Sequence, residues 1–214
     1  MRNSILLTLI LLFFIGCGAS KQATPGPGVS LLVIGDSLTA GYGLNTPETH
    51  AWPAILEYEW KKSGFLTSDQ KVVNAGISGD TSQGGLNRIE GLLKEHQPTV
   101  VAIALGSNDV RRRTSGTEVY KSLSGMVQIA QQAEAKVILI GVDLPSALSL
   151  AASGEPNKTI DRVAREYDLD RVNIPLNVIS RKNMMLDDQI HPNLEAQDII
   201  AQSLKQPLER VMSE

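Results

Sequence analysis

The sequence predicts a doubly wound α/β domain built on a parallel sheet. Three observations carry this reading. Five short apolar runs do not alternate with polar residues, as half-solvated strands do, so they suit parallel strands covered on both faces. Stretches with apolar residues at helical spacing separate these runs, and strand–helix alternation along a whole chain builds parallel crossovers. The first three runs lead into loops rich in Gly, Ser, Asn and Asp, and open sheets of this kind bind ligands beyond the carboxyl ends of their strands.

At the amino terminus, Arg2 supplies a positive charge and residues 5–15 are almost wholly apolar. About a dozen apolar residues are too few to span a bilayer and fit the core of a signal peptide. The run ends in Phe14-Ile15-Gly16-Cys17. A small residue before cysteine resembles the bacterial lipobox, in which the cysteine is lipidated and becomes the first mature residue. Phe14 stands where leucine is usual, and an ordinary signal peptide with an incidental Cys17 is the competing reading. The expected organisation is a lipoprotein signal peptide over 1–16, a flexible tether over 17–29 containing Pro25, Gly26, Pro27 and Gly28, and one domain over 30–214. The expected location is extracytoplasmic, on the periplasmic side of a membrane that holds the anchor at Cys17.

Within the domain the first strand is Leu31-Leu32-Val33-Ile34 and the second Lys71-Val72-Val73-Asn74-Ala75. The third runs from Val100 to Leu105, the fourth from Val137 to Val142, and a weaker fifth is Arg171-Val172-Asn173-Ile174. Leu86, Ile89, Leu92 and Leu93 mark one helix face, with Asp80 or Thr81 placed to cap it. Val119, Leu123, Met126, Val127 and Ala130 mark a second, and Ile160, Val163, Ala164 and Tyr167 a third. Leu194, Ile199, Ile200, Leu204 and Leu208 mark the last.

Composition excludes several functions. A net charge of −3 offers no basic excess for a phosphate backbone, and 4% aromatic residues make no stacking platform, so nucleic acid is not an expected partner. One cysteine permits no internal disulfide, and three histidines make a multi-histidine metal site improbable.

The chemistry lies in four loops. After the first strand comes Gly35-Asp36-Ser37-Leu38, which puts Ser37 at a strand-to-helix turn, where N–H groups and the helix dipole favour developing negative charge. Alone the block is a weak signal, and for an arbitrary serine the reading as a helix cap prevails. After the second strand, Gly79 in Asn74-Ala75-Gly76-Ile77-Ser78-Gly79-Asp80-Thr81-Ser82 offers a bare backbone N–H to a substrate, or simply a turn with positive φ. After the third, Asn108 in Gly106-Ser107-Asn108-Asp109 offers a side-chain donor, or an Asx turn. Near the carboxyl terminus, Asp188-Gln189-Ile190-His191-Pro192-Asn193 sets a carboxylate three residues before a histidine. It can hold Nδ1 and leave Nε2 free to act as a base.

In this order, the four blocks resemble those of the SGNH (GDSL) hydrolase superfamily from about Leu31 to the end of the chain. The wording of the second and fourth blocks is closest to the bacterial periplasmic thioesterase/lysophospholipase/arylesterase branch. The resemblance implies a three-layer α/β/α, flavodoxin-like fold with a five-stranded parallel sheet in the order 2-1-3-4-5. It implies a serine esterase in which Ser37 attacks an ester or thioester carbonyl. His191 would move the proton and Asp188 would orient the imidazole. Ser37, Gly79 and Asn108 would form the oxyanion hole, with no cofactor and no metal. Asp36 is expected to anchor its turn rather than to join the triad. The implied partners are a small acyl ester or lysophospholipid and, through the lipid, a membrane; the protein is expected to be a monomer.

Departures and rivals remain open. Ser107 stands where many members of the branch carry a second glycine. Asp187 competes with Asp188 as the orienting carboxylate, although the three-residue spacing favours Asp188. Arg111, Arg112 and Arg113 follow the third block and read as a solvated face in preference to an anion contact. Leu144-Pro145-Ser146 follows the fourth strand and reads as a loop in preference to an acyl-pocket wall. His50 and His96 read as surface residues, and Ser78 and Ser82 lack a histidine partner in the family pattern. Two rival functions share these features: an O-acetylesterase of cell-envelope carbohydrate, and a lipid-tethered binding protein without catalysis.

Overall fold

Five strands form one sheet in the order β2-β1-β3-β4-β5, with every neighbouring pair parallel. They are β1 (Val29–Gly35), β2 (Lys71–Gly76), β3 (Val100–Ala104), β4 (Lys136–Val142) and β5 (Asp170–Ile174). The structure is a computed structural model that describes residues 28–144 and 155–214. Its helices are α1 (Ser37–Ala40), α2 (Pro47–His50), α3 (Trp52–Ser63), α4 (Ser82–His96), α5 (Ser107–Arg111), α6 (Gly116–Gln132), α7 (Glu155–Glu166), α8 (Leu176–Arg181) and α9 (Leu194–Ser213). The three-layer α/β/α arrangement and the strand order agree with the expectation.

The apolar runs are continuous because successive side chains enter two different cores. Leu31, Val33, Val100, Ala102, Ile138 and Ile140 face one side, where Trp52, Leu56 and Trp60 of α3, Leu176 and Ile179 of α8, and the buried face of α9 cover them. Leu32, Ile34, Val101, Ile103, Val137 and Leu139 face the other, under Ile89 of α4, Leu123 and Met126 of α6, and Ile160 and Val163 of α7. Each buried leucine- or isoleucine-sized side chain contributes about 1.5–3 kcal/mol relative to exposure, so the central strands are apolar almost throughout, with the small Ser30 as the buried polar residue of β1. At the two ends of the sheet, β2 and β5 are only half-buried, which is why their sequences are mixed.

Two expectations change in detail. Leu194 does not join the core face of α9 and is 53% exposed. It is the first helical residue after the Asn193 cap, and the buried stripe begins two residues later, at Ala196. The first strand begins at Val29, one residue inside the expected tether, because the Gly28 carbonyl already accepts the Lys71 N–H at 3.0 Å. The signal peptide, Cys17, Pro145 and Ser146 lie outside the described residues, whereas Leu144 is partly buried and packs against the first of the two cores.

Candidate active site

Ser37 is presented by a tight turn at the end of β1. Asp36 takes an extended conformation and its carboxylate accepts the Leu38 N–H at 3.0 Å, so Asp36 caps α1 and Ser37 becomes its first residue. At the other end of α1, the Tyr42 N–H donates to the Ser37 carbonyl at 3.1 Å.

His191 comes from a loop that braces itself. The Leu186 N–H donates to the His191 carbonyl at 2.7 Å, and the Asn193 N–H to the Met184 carbonyl at 3.0 Å. One Asp188 oxygen accepts the N–H groups of Ile190 and His191 at 2.9 and 3.0 Å, while the other lies 2.6 Å from His191 Nδ1. With Nδ1 protonated toward that carboxylate, Nε2 is left to accept, and it lies 2.8 Å from Ser37 Oγ. Partial burial pushes the Asp188 carboxyl up. The ring hydrogen bond and the two N–H donors outweigh that push and hold it at about 2. Asp187 and Asp188 are both exposed, and it is Asp188 whose carboxylate lies against Nδ1, so the structure brings Ser37, His191 and Asp188 together.

The second and third blocks meet beside this line. Gly79 has φ 81, and a Cβ there would meet open space, so backbone conformation rather than crowding calls for glycine. Asn108 is 8% exposed, and its Nδ2 donates to the Asp80 carbonyl at 2.9 Å and faces an Asp36 oxygen at 3.4 Å. Arg112 donates from Nη2 to the Gly79 carbonyl at 3.1 Å, so one member of the arginine run reaches the second block, and all three arginines are exposed. Ser82 is buried, Ser78 and His50 are exposed, and His96 ends α4.

Three contacts near the site carry no sequence signal of their own. Asp109 accepts the Ser82 N–H and hydroxyl at 2.8 and 2.7 Å, which ties the third block to the start of α4. Arg88 contacts Asp80 from Nε and Nη2 at 2.9 Å and donates to the Gly35 carbonyl at 3.3 Å, which joins the first block to the second. The Tyr42 ring lies against the His191 ring. Only the adjacency of Asp109 to Asn108 and the place of Arg88 on the polar flank of a predicted helix hinted at any of them.

Asp36 makes the site sensitive to pH in its stability. Burial raises its carboxyl to about 6, against the lowering effects of the Leu38 N–H and the nearby His191. The folded protein therefore keeps this proton to higher pH than the unfolded chain, so the contribution of Asp36 to stability is fully present below about pH 4 and is lost as pH rises through 6. A rise from 3.8 to about 6 corresponds to about 3 kcal/mol. Urea unfolding of the wild type and Asp36→Asn should diverge across this window, the wild type losing stability relative to the variant as pH rises. A difference that is constant from pH 4 to 7 would contradict this account.

Serine hydrolases of the SGNH type are built in this way, with a hydroxyl and an imidazole from distant loops brought together beside a parallel sheet. The chain belongs to the GDSL-like Lipase/Acylhydrolase family, whose pattern matches residues 33–199, and its activity is the hydrolysis of ester bonds. It is 35% identical over 185 residues to the thioesterase 1/protease 1/lysophospholipase L1 of Escherichia coli strain K12, covering 86% of this chain and 85% of that protein. It is 33% identical over 204 residues to the arylesterase of Vibrio mimicus, covering 95% of this chain and 96% of that protein. The crystal structure of the psychrotrophic esterase EstA from Pseudoalteromonas sp., inhibited by monoethylphosphonate, superposes with a TM-score of 0.77 at 27% identity, covering 86% of this chain and 99% of that one.

Proposed function

We propose that the protein is a lipid-anchored extracytoplasmic esterase that cleaves acyl esters and thioesters, aryl esters and lysophospholipids among them, through an acyl-enzyme on Ser37. The observation that carries this reading is the continuous line from the Asp188 carboxylate through both nitrogens of His191 to Ser37 Oγ, at 2.6 and 2.8 Å. Ser37 Oγ attacks the carbonyl carbon while Nε2 takes the hydroxyl proton. The tetrahedral oxyanion is held by the N–H groups of Ser37 and Gly79 and by the Asn108 amide, which turns to it the N–H that otherwise faces the Asp36 oxygen at 3.4 Å. Each such donor is typically worth about 10²–10³ in turnover. Nε2 then gives its proton to the leaving oxygen or sulfur as the bond to the acyl carbon breaks, and water repeats the sequence to release the acid. The substrate range is supported by the activities named for the bacterial relatives, and the anchor by Gly16-Cys17 at the end of the apolar run.

One experiment tests both parts. A fluorophosphonate probe, which reacts with activated serines, is applied to fractionated cells expressing the full chain. The expected label is in the membrane fraction, absent from Ser37→Ala, and moved to the soluble fraction by Cys17→Ser. Labelling of Ser37→Ala at the wild-type level would end the catalytic proposal. Membrane-bound label in Cys17→Ser would end the anchor.

A further inference from the structure

The side chain of Tyr42 has no part in the chemistry above, yet it touches the base. Its ring centroid is 4.4 Å from that of His191 with the planes tilted by 40°, and the residue remains 51% exposed. The contact is held from both sides. The Tyr42 N–H bonds the carbonyl of Ser37, so the loop cannot shift without moving the nucleophile. Gly41 and Gly43 on either side have φ values of 74 and 80. A Cβ on Gly43 would overlap Leu186, two residues before Asp188, so the tyrosine loop and the histidine loop are packed directly against each other.

We propose that the exposed face of Tyr42 forms a wall of the leaving-group subsite and makes the enzyme selective for esters of flat, apolar alcohols over those of small alcohols. The inference rests on the roles given above to Ser37 and His191. To be protonated, the leaving oxygen must come within hydrogen-bond reach of Nε2, about 2.6–3.2 Å. Whatever that oxygen carries is then held beside the imidazole. The exposed apolar surface in contact with the imidazole is the ring of Tyr42, and Ile190, the residue before His191, adds a side chain that is 41% exposed. In the second half of the reaction a water molecule replaces the alcohol, so the contact acts on acylation alone.

The test compares acetate esters, which share one acyl-enzyme and differ only in the alcohol. An aromatic contact is worth about two- to tenfold beyond the area it buries, so Tyr42→Ala should lower kcat/KM for phenyl and 2-naphthyl acetate about tenfold and leave ethyl acetate within about twofold. Tyr42→Phe should behave as wild type, because the ring rather than the hydroxyl makes the contact. The rate of acetyl-enzyme breakdown, read after a burst of product, should be unchanged. An equal fall on all esters, or slowed breakdown, would overturn the proposal and make Tyr42 a support for the imidazole instead. No change on any ester would overturn it as well. Undiminished hydrolysis by Ser37→Ala would be a separate failure, that of the serine mechanism itself.

Discussion

Removing either the Ser37 hydroxyl or the His191 imidazole is expected to lower kcat by about a millionfold, and removing both to lower it little further. The two groups share one proton across the 2.8 Å contact between Oγ and Nε2, so neither advances the reaction once the other is gone. The activity left over would come from substrate binding and the oxyanion donors, which both variants keep. Hydrolysis of p-nitrophenyl esters by purified Ser37→Ala, His191→Ala and the double variant decides it. Losses that multiply in the double variant would mean that the two residues act independently.

Asp188→Asn is expected to reduce kcat by about 10⁴ while leaving the loop folded. An asparagine can keep the acceptor used by the N–H groups of Ile190 and His191. It turns an amide N–H₂ toward Nδ1, however, and favours the tautomer in which Nε2 carries the proton and cannot take one from Ser37. Because Asp188 is held at about 2, it is ionised throughout the range in which the enzyme would be assayed, so protonation of this carboxylate does not limit the wild type there. Asp187→Asn should stay close to wild type, since the Nδ1 contact is made by Asp188. A severe loss in Asp187→Asn with little change in Asp188→Asn would reverse the assignment of the orienting group.

The sheet was legible because burial on two faces leaves a mark in every central strand. Leu31 to Ile34 could hardly be read otherwise. The half-buried edge strands have mixed sequences for the same physical reason, and Arg171 and Asn173 in β5 show how little pattern such a strand needs. Ser37, Asp188 and His191 were legible because each sits in a short segment with its own chemistry. Arg88 and Asp109 were not. Their partners Gly35 and Ser82 lie 53 and 27 residues away, and such contacts arise from the way the strands line up, which no local spacing records. Leu194 misled for the opposite reason. It matches the helical period, but its place at the first turn, beside the Asn193 cap, turns it outward.

Because all five strands run the same way, the molecule has two unlike poles. The chain comes into the sheet at Val29, at the pole where the strands begin, and β1 carries it seven residues across the molecule to Ser37. At about 3.3 Å per residue that is roughly 20 Å of rigid strand between the point of attachment and the reacting hydroxyl. Whatever lies upstream of Gly28 therefore joins the domain at the pole where the strands begin, and the length of β1 separates that point of entry from the catalytic serine.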